Sequence, residues 1–137
     1  MNDEAIPTNV IKVNFPENLE LTQFIQKLLR SRRKAEALNW LSASRLGRRR
    51  TIGVFKGAKP SIKWVKELYS AGAAKVIAAD IKTDAGGNQH SDKIIVVLPK
   101  DEKLRATVFL WCERQGDKIG YLPDVDRGES HMYVYIG

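Results

Sequence analysis

The sequence predicts an α+β domain in which strands and helices follow one another as β-α-β-β-α-β between Thr51 and Gly137. Three observations predict it. Lys75–Lys82 and Lys93–Leu98 are dense in β-branched residues and lack glycine, the composition of strands central in a sheet. Pro60–Ala71 and Glu102–Gln115 carry apolar residues at the spacing of amphipathic helices. Strand-like runs at Thr51–Lys56 and His131–Ile136 close the series at either end.

Taken in chain order, residues 1–19 read as a tail holding one short strand. Residues 1–9 are polar and contain Pro7, while Ile11, Val13 and Phe15 alternate with Lys12 and Asn14 until Pro16 stops them. Residues 20–50 read as a basic helical segment. Leu21, Phe24, Ile25, Leu28 and Leu29 form one helical stripe, which resumes at Ala35, Leu38 and Leu41 beyond Arg30–Lys34. The pattern fits one helix from Leu21 to Ser44 or two meeting near Arg30–Arg33, with Gly47 as the stop. Its apolar stripe must cover something, and the open sheet face is the natural candidate.

Residues 51–137 read as the core. Ile62, Val65, Leu68, Tyr69 and Ala73 mark the buried side of the first core helix, with Pro60 suited to its first turn and Gly72 to its end. Asp101 and Glu102 favour the start of the second, Gly116 its end, and Leu104, Val108, Phe109, Trp111 and Cys112 its buried side. Thr83–Asp92, with Gly86-Gly87-Asn88 at its centre, reads as a hairpin connection, and Asp117–Ser130 as a long irregular link. The element order resembles ferredoxin-like folds: a four-stranded antiparallel sheet with two helices on one face, and the N-terminal helices on the other face or against a partner. That architecture hosts many unrelated activities and selects none of them.

Bulk properties narrow the function classes. A chain of 137 residues fits one domain and buries a core without disulfides, and its single cysteine, Cys112, forms no intramolecular bridge. No secretory leader is visible and no apolar run approaches the roughly 20 residues of a membrane span, so the expected compartment is the cytoplasm, with no membrane partner. The net charge of +7 is unevenly placed. Residues 1–50 contribute +5 and residues 51–137 only +2. Between Arg30 and Arg50 stand eight cations (Arg30, Arg32, Arg33, Lys34, Arg45, Arg48, Arg49 and Arg50) against one carboxylate, Glu36. Such a field attracts anionic partners, protein or nucleic acid, and Trp40 offers a ring that could stack on a base, although a tryptophan on a helix usually belongs to a core. The sheet offers no RNA-recognition surface of the aromatic type, because Ile94–Leu98 contains neither an aromatic nor a basic residue.

Chemistry-bearing motifs are sparse. His90, His131 and Cys112 make no pair at zinc-ligand spacing, and Asp124–Glu129 lacks the later glutamate of a calcium loop, so neither metal nor cofactor is expected. Cys112 lies on an apolar helical stripe, where a thiol is normally inert. The turn Lys56–Pro60 precedes a helix, a geometry that holds anions, but it lacks the spacing of a P-loop. The leading expectation is therefore a non-enzymatic binding module that meets its anionic partner through Arg30–Arg50, with the core as scaffold or dimerisation unit. The alternative is a small enzyme or ligand sensor using Lys56, Lys59, Asp124, Asp126 and His131.

Overall fold

The computed structural model describes residues 15–121 and 125–137. Residues 1–14 of the predicted tail, with the strand residues Ile11 and Val13, lie outside them. Phe15, read as the end of that strand, instead opens helix α1 (Phe15–Arg30), with Pro16 in the first turn, where a missing N–H goes unnoticed. α1 belongs to a first compact unit that ends at Arg30, and Ser31–Gly137 form a second. Along α1, Ile25 and Leu28 are buried, Leu21 and Leu29 half-buried, and Phe24 is 38% exposed, so the apolar stripe is narrower than predicted. Leu28→Asp would place a carboxylate on a buried apolar site. It is expected to cost about 3 kcal/mol, read as a lower melting temperature. An unchanged melt would show that this burial contributes nothing.

The second unit is α+β. Its elements are β1 (Ala35–Glu36), α2 (Ala37–Ser42), β2 (Arg50–Ile52), α3 (Ala58–Ser70), β3 (Lys75–Ala79), β4 (Lys82–Thr83), β5 (Gln89–Ser91), β6 (Lys93–Val97), α4 (Glu102–Ile119) and β7 (His131–Tyr135). The main sheet has the order β1-β3-β6-β7, with every neighbouring pair antiparallel. β3 and β6 are its two central strands, as their composition predicts. The register aligns Val76 with Val96 and Ala78 with Ile94, then Ile94 with Val134 and Val96 with Met132. These residues share one face, because side chains alternate along a strand. They join Trp64, Val65 and Leu68 of α3, and Val108 and Cys112 of α4, in a single buried cluster.

Three departures from the sequence reading bear on function. The run Thr51–Lys56 does not enter the main sheet, so the ferredoxin-like order is not the one observed. Only Arg50–Ile52 is a strand, and it belongs to a second sheet of order β2-β5-β4, in which β2 and β5 run parallel. Gly53 explains the early stop. Its φ is +53°, and a Cβ there would lie 2.4 Å from the Ile136 carbonyl oxygen, so the chain turns against β7 instead of extending.

The second departure is at Ser31–Glu36, where the sequence fits either one continuous helix or two meeting near Arg30–Arg33; two helices are observed, separated by six residues that are not helical. Arg30, Arg33 and Lys34 at i, i+3 and i+4 would repel one another on a helix. Ser31 Oγ instead accepts the Arg33 N–H at 3.1 Å, and the chain bends through Ser31–Arg33 before entering β1, which takes the fourth place in the main sheet. Glu36 then caps α2, accepting the Asn39 N–H at 2.7 Å and the Leu38 N–H at 3.1 Å. Its carboxylate also accepts the Tyr69 hydroxyl, whose pKa is pushed up to about 12 by burial and by that bond. The sequence reading places the N-terminal helices on the opposite face or against a partner; Ala37, Trp40 and Leu41 of the short helix α2 instead join the cluster shared with α3 and α4.

Third, α4 runs through Gly116, which is buried within it, and stops at Gly120, whose φ of +87° suits a helix C-terminus. Among the described residues no helix is long and apolar enough to cross a membrane.

Candidate functional site

The small sheet organises the basic residues. β4 and β5 form a hairpin whose turn is built by Asp84. That carboxylate accepts the Asn88 N–H at 3.0 Å and the Gly86 N–H at 2.9 Å. The Asn88 amides, backbone then side chain, are the main reason its pKa lies below the ordinary carboxylate value. Asn88 Oδ1 accepts the Arg49 N–H at 2.9 Å, and the Gln89 N–H donates to the Arg49 carbonyl at 2.7 Å. The hairpin thereby fixes the backbone of the arginine segment.

Gln89 ties this sheet to the core. Its Oε1 accepts the Trp40 indole N–H at 2.8 Å, and its Nε2 donates to Thr83 Oγ1 at 3.1 Å. Arg50 donates from its guanidinium to the Trp40 carbonyl at 3.1 Å. Trp40 is thus a buried strut rather than a stacking platform. Removing the acceptor with Gln89→Ala would strand a buried N–H, at an expected cost of about 1–2 kcal/mol in chemical denaturation. Gln89→Glu keeps an acceptor and should lose less; equal losses would show that the bond is not what matters.

Arg45 and Arg48 exchange backbone hydrogen bonds across the turn Leu46-Gly47, placing Leu46, 99% exposed, at its tip. Three concave surfaces then surround the β4–β5 hairpin, and Thr83 and Gln89 line all of them. The first, about 610 Å³, is lined by Arg32, Arg33, Lys34 and Lys82. The second, about 520 Å³, takes Arg45, Arg48 and Arg50. The third, about 560 Å³, takes Arg49, Lys56 and Lys82 together with Thr51 and His90. Arg48 and Arg50 on one surface and Arg49 on another follow the alternation of an extended chain. Asp84 is the one carboxylate in these three linings.

The structure therefore brings Arg32, Arg33, Lys34, Arg45, Arg48, Arg49 and Arg50 to one hairpin, although the first three stand in a bent connection rather than on a helical turn. Arg30 ends α1, in the other unit. The second predicted grouping is divided. Lys56 lines the third cleft, and Lys59 is exposed on the first turn of α3. Asp126 is bound by Arg105 at 2.5 Å, which holds its pKa below the ordinary value. His131 pairs through Nδ1 with Ser130 Oγ at 2.8 Å. Asp124 lies outside the described residues. Among the described residues no cluster of three or more His, Cys, Asp or Glu is arranged to hold a metal ion.

Lys82, Thr83 and Gln89 were not singled out from the sequence. Lys82 and Thr83 sat at a strand end, and the polar spacing of the hairpin gave no sign of which cations it would meet. No known family, curated protein or solved structure matches the chain significantly.

Proposed function

We propose that this protein is a small binding module whose basic face docks a nucleic-acid backbone. The observation that carries this reading is the convergence of nine cations on one hairpin, in three clefts joined by Thr83 and Gln89, where Asp84 is the one lining carboxylate and Asp80 pairs with Lys82. Clustered Arg and Lys on an ordered element neutralise several phosphates together, and each neutralised phosphate releases counterions. Arg45, Arg48 and Arg49 are exposed, and their side chains make no ion pair or hydrogen bond among the described residues, so an incoming phosphate displaces no internal partner.

Backbone contact, without base readout, is the mode this surface favours. Trp40 is committed to Gln89, and the central strand β6 offers no aromatic residue for stacking. Affinity should accordingly vary little with base sequence. Fluorescence anisotropy with labelled duplexes of unrelated sequence, in low salt, checks this, with poly-glutamate as a second titrant. Comparable affinities for the duplexes, with poly-glutamate bound more weakly, are expected. Binding of poly-glutamate alone would transfer the face to an acidic protein partner.

A further inference from the structure

One hydrogen-bonded chain at the third cleft goes beyond anion docking. Thr51 Oγ1 lies 2.7 Å from His90 Nδ1, and His90 Nε2 lies 2.7 Å from Asp92 Oδ1. An ionised carboxylate only accepts, so the imidazole proton sits on Nε2 and is donated to Asp92. Nδ1 is then left as an acceptor, and the Thr51 hydroxyl is the donor to it. This is the arrangement that activates a hydroxyl: nucleophile within hydrogen-bond reach of a base, and base oriented by a third group.

The fold sets each part of it. Parallel pairing of β2 with β5 puts Thr51 opposite His90. Asp92 follows two residues after His90, just past the end of the same strand. Thr51 and His90 both line the third cleft, and Asp92, which does not, holds the other ring nitrogen of His90. Arg49, Lys56 and Lys82 line that same cleft against Asp84, and Lys82 also pairs with Asp80 at 3.7 Å, so the lining keeps an excess of positive charge and a substrate there is expected to be anionic.

We infer that Thr51, His90 and Asp92 form a hydroxyl-activating relay that transfers a phosphoryl group from phosphate diesters. Thr51 Oγ attacks phosphorus, forming the Oγ–P bond as the bond from phosphorus to the leaving oxygen breaks. The Thr51 proton passes to His90 Nδ1 and from there to the leaving alkoxide. Water then attacks the threonyl phosphodiester, gives its proton to His90, and releases Thr51, which regains that proton. Arg49, Lys56 and Lys82 supply positive charge to the non-bridging oxygens, where negative charge concentrates in the transition state. Asp92 touches no reacting atom and is a positioning residue.

This inference rests on the same cations as the proposed interface, and its test separates the two. Bis(p-nitrophenyl) phosphate is a small diester that reads the chemistry without requiring a nucleic-acid footprint. The wild-type protein is expected to release p-nitrophenolate. Thr51→Val and His90→Gln should each lower kcat by about 10²–10⁴-fold, the usual contribution of a positioned base. Asp92→Asn should lower kcat with KM unchanged, and a purely structural role would not give that split. A fluorophosphonate probe should label the Thr51 peptide in mass spectrometry and leave Thr51→Val unlabelled.

Thr51→Val and His90→Gln should keep the wild-type melting temperature within a few degrees and retain duplex binding. Turnover that is absent in the wild type, or equal in all variants, overturns the inference. Duplex binding without turnover would leave the interface standing and remove the relay. Turnover without duplex binding would do the reverse.

Discussion

Replacing Arg45, Arg48 and Arg49 together with serine weakens duplex binding by on the order of 10²-fold at about 0.2 M salt, the expected consequence of losing three phosphate contacts. The estimate follows from counterion release alone, at about 0.9 ion per phosphate neutralised. Loss should be larger at lower salt, because the salt dependence itself flattens. Stability should change little: all three residues are exposed and bond to the rest of the chain only through their backbones. Arg50 is left in place because its guanidinium holds the Trp40 carbonyl. A triple variant that melts normally and binds as tightly as the wild type would remove these arginines from the interface.

Gly53→Ala carries the largest expected cost to stability. The positive φ alone disfavours alanine by about 1 kcal/mol. The added Cβ would also lie 2.4 Å from the Ile136 carbonyl oxygen and 2.5 Å from Ile136 Cγ1, and one of those atoms is backbone that cannot swing aside. Relief requires moving the β2–α3 turn away from β7. That strains the bonds from the Gly53 N–H to the Ser91 carbonyl and from the Ile136 N–H to the Asp92 carbonyl, both 2.9 Å. The sum is about 3 kcal/mol or more, a drop in melting temperature of about 10 °C for a domain of this size. Gly128→Ala is the control, since its φ is also positive, at +81°, but its Cβ meets nothing within 4 Å. Its cost should stay near about 1 kcal/mol. Equal losses at both glycines would show that the contact with Ile136 contributes nothing.

What was legible in the sequence was local. The β-branched runs around Ile77 and Ile95 sit in the two central strands, because β-branched side chains pack well on a buried pleated sheet. Pro60 lies in the first turn of α3 and Asp101 caps α4, so the starts of both helices were readable, whereas the end of α4 was not. Gly53 hid the fate of Thr51–Lys56, since a glycine in an apolar run signals a break only when its neighbour is known, and that neighbour is Ile136. Glu36 looked like one more helical residue, although its side chain starts a new helix instead of continuing the old one. The density of arginines before residue 51 raised the expectation of an anionic partner. It did not announce that Gln89 would anchor them, nor that Thr51 and His90, separated by 39 residues, would meet. That meeting depends on the parallel β2–β5 pair, which leaves no local pattern.

The salt dependence of duplex binding by the wild-type protein is the most direct test of the basic face. Between 50 and 200 mM salt, three or four engaged phosphates predict a slope of log K against log salt of about −2.7 to −3.6, a weakening of about 40- to 150-fold. A slope near zero, or no binding at 50 mM salt, would contradict the assignment of this face to nucleic acid.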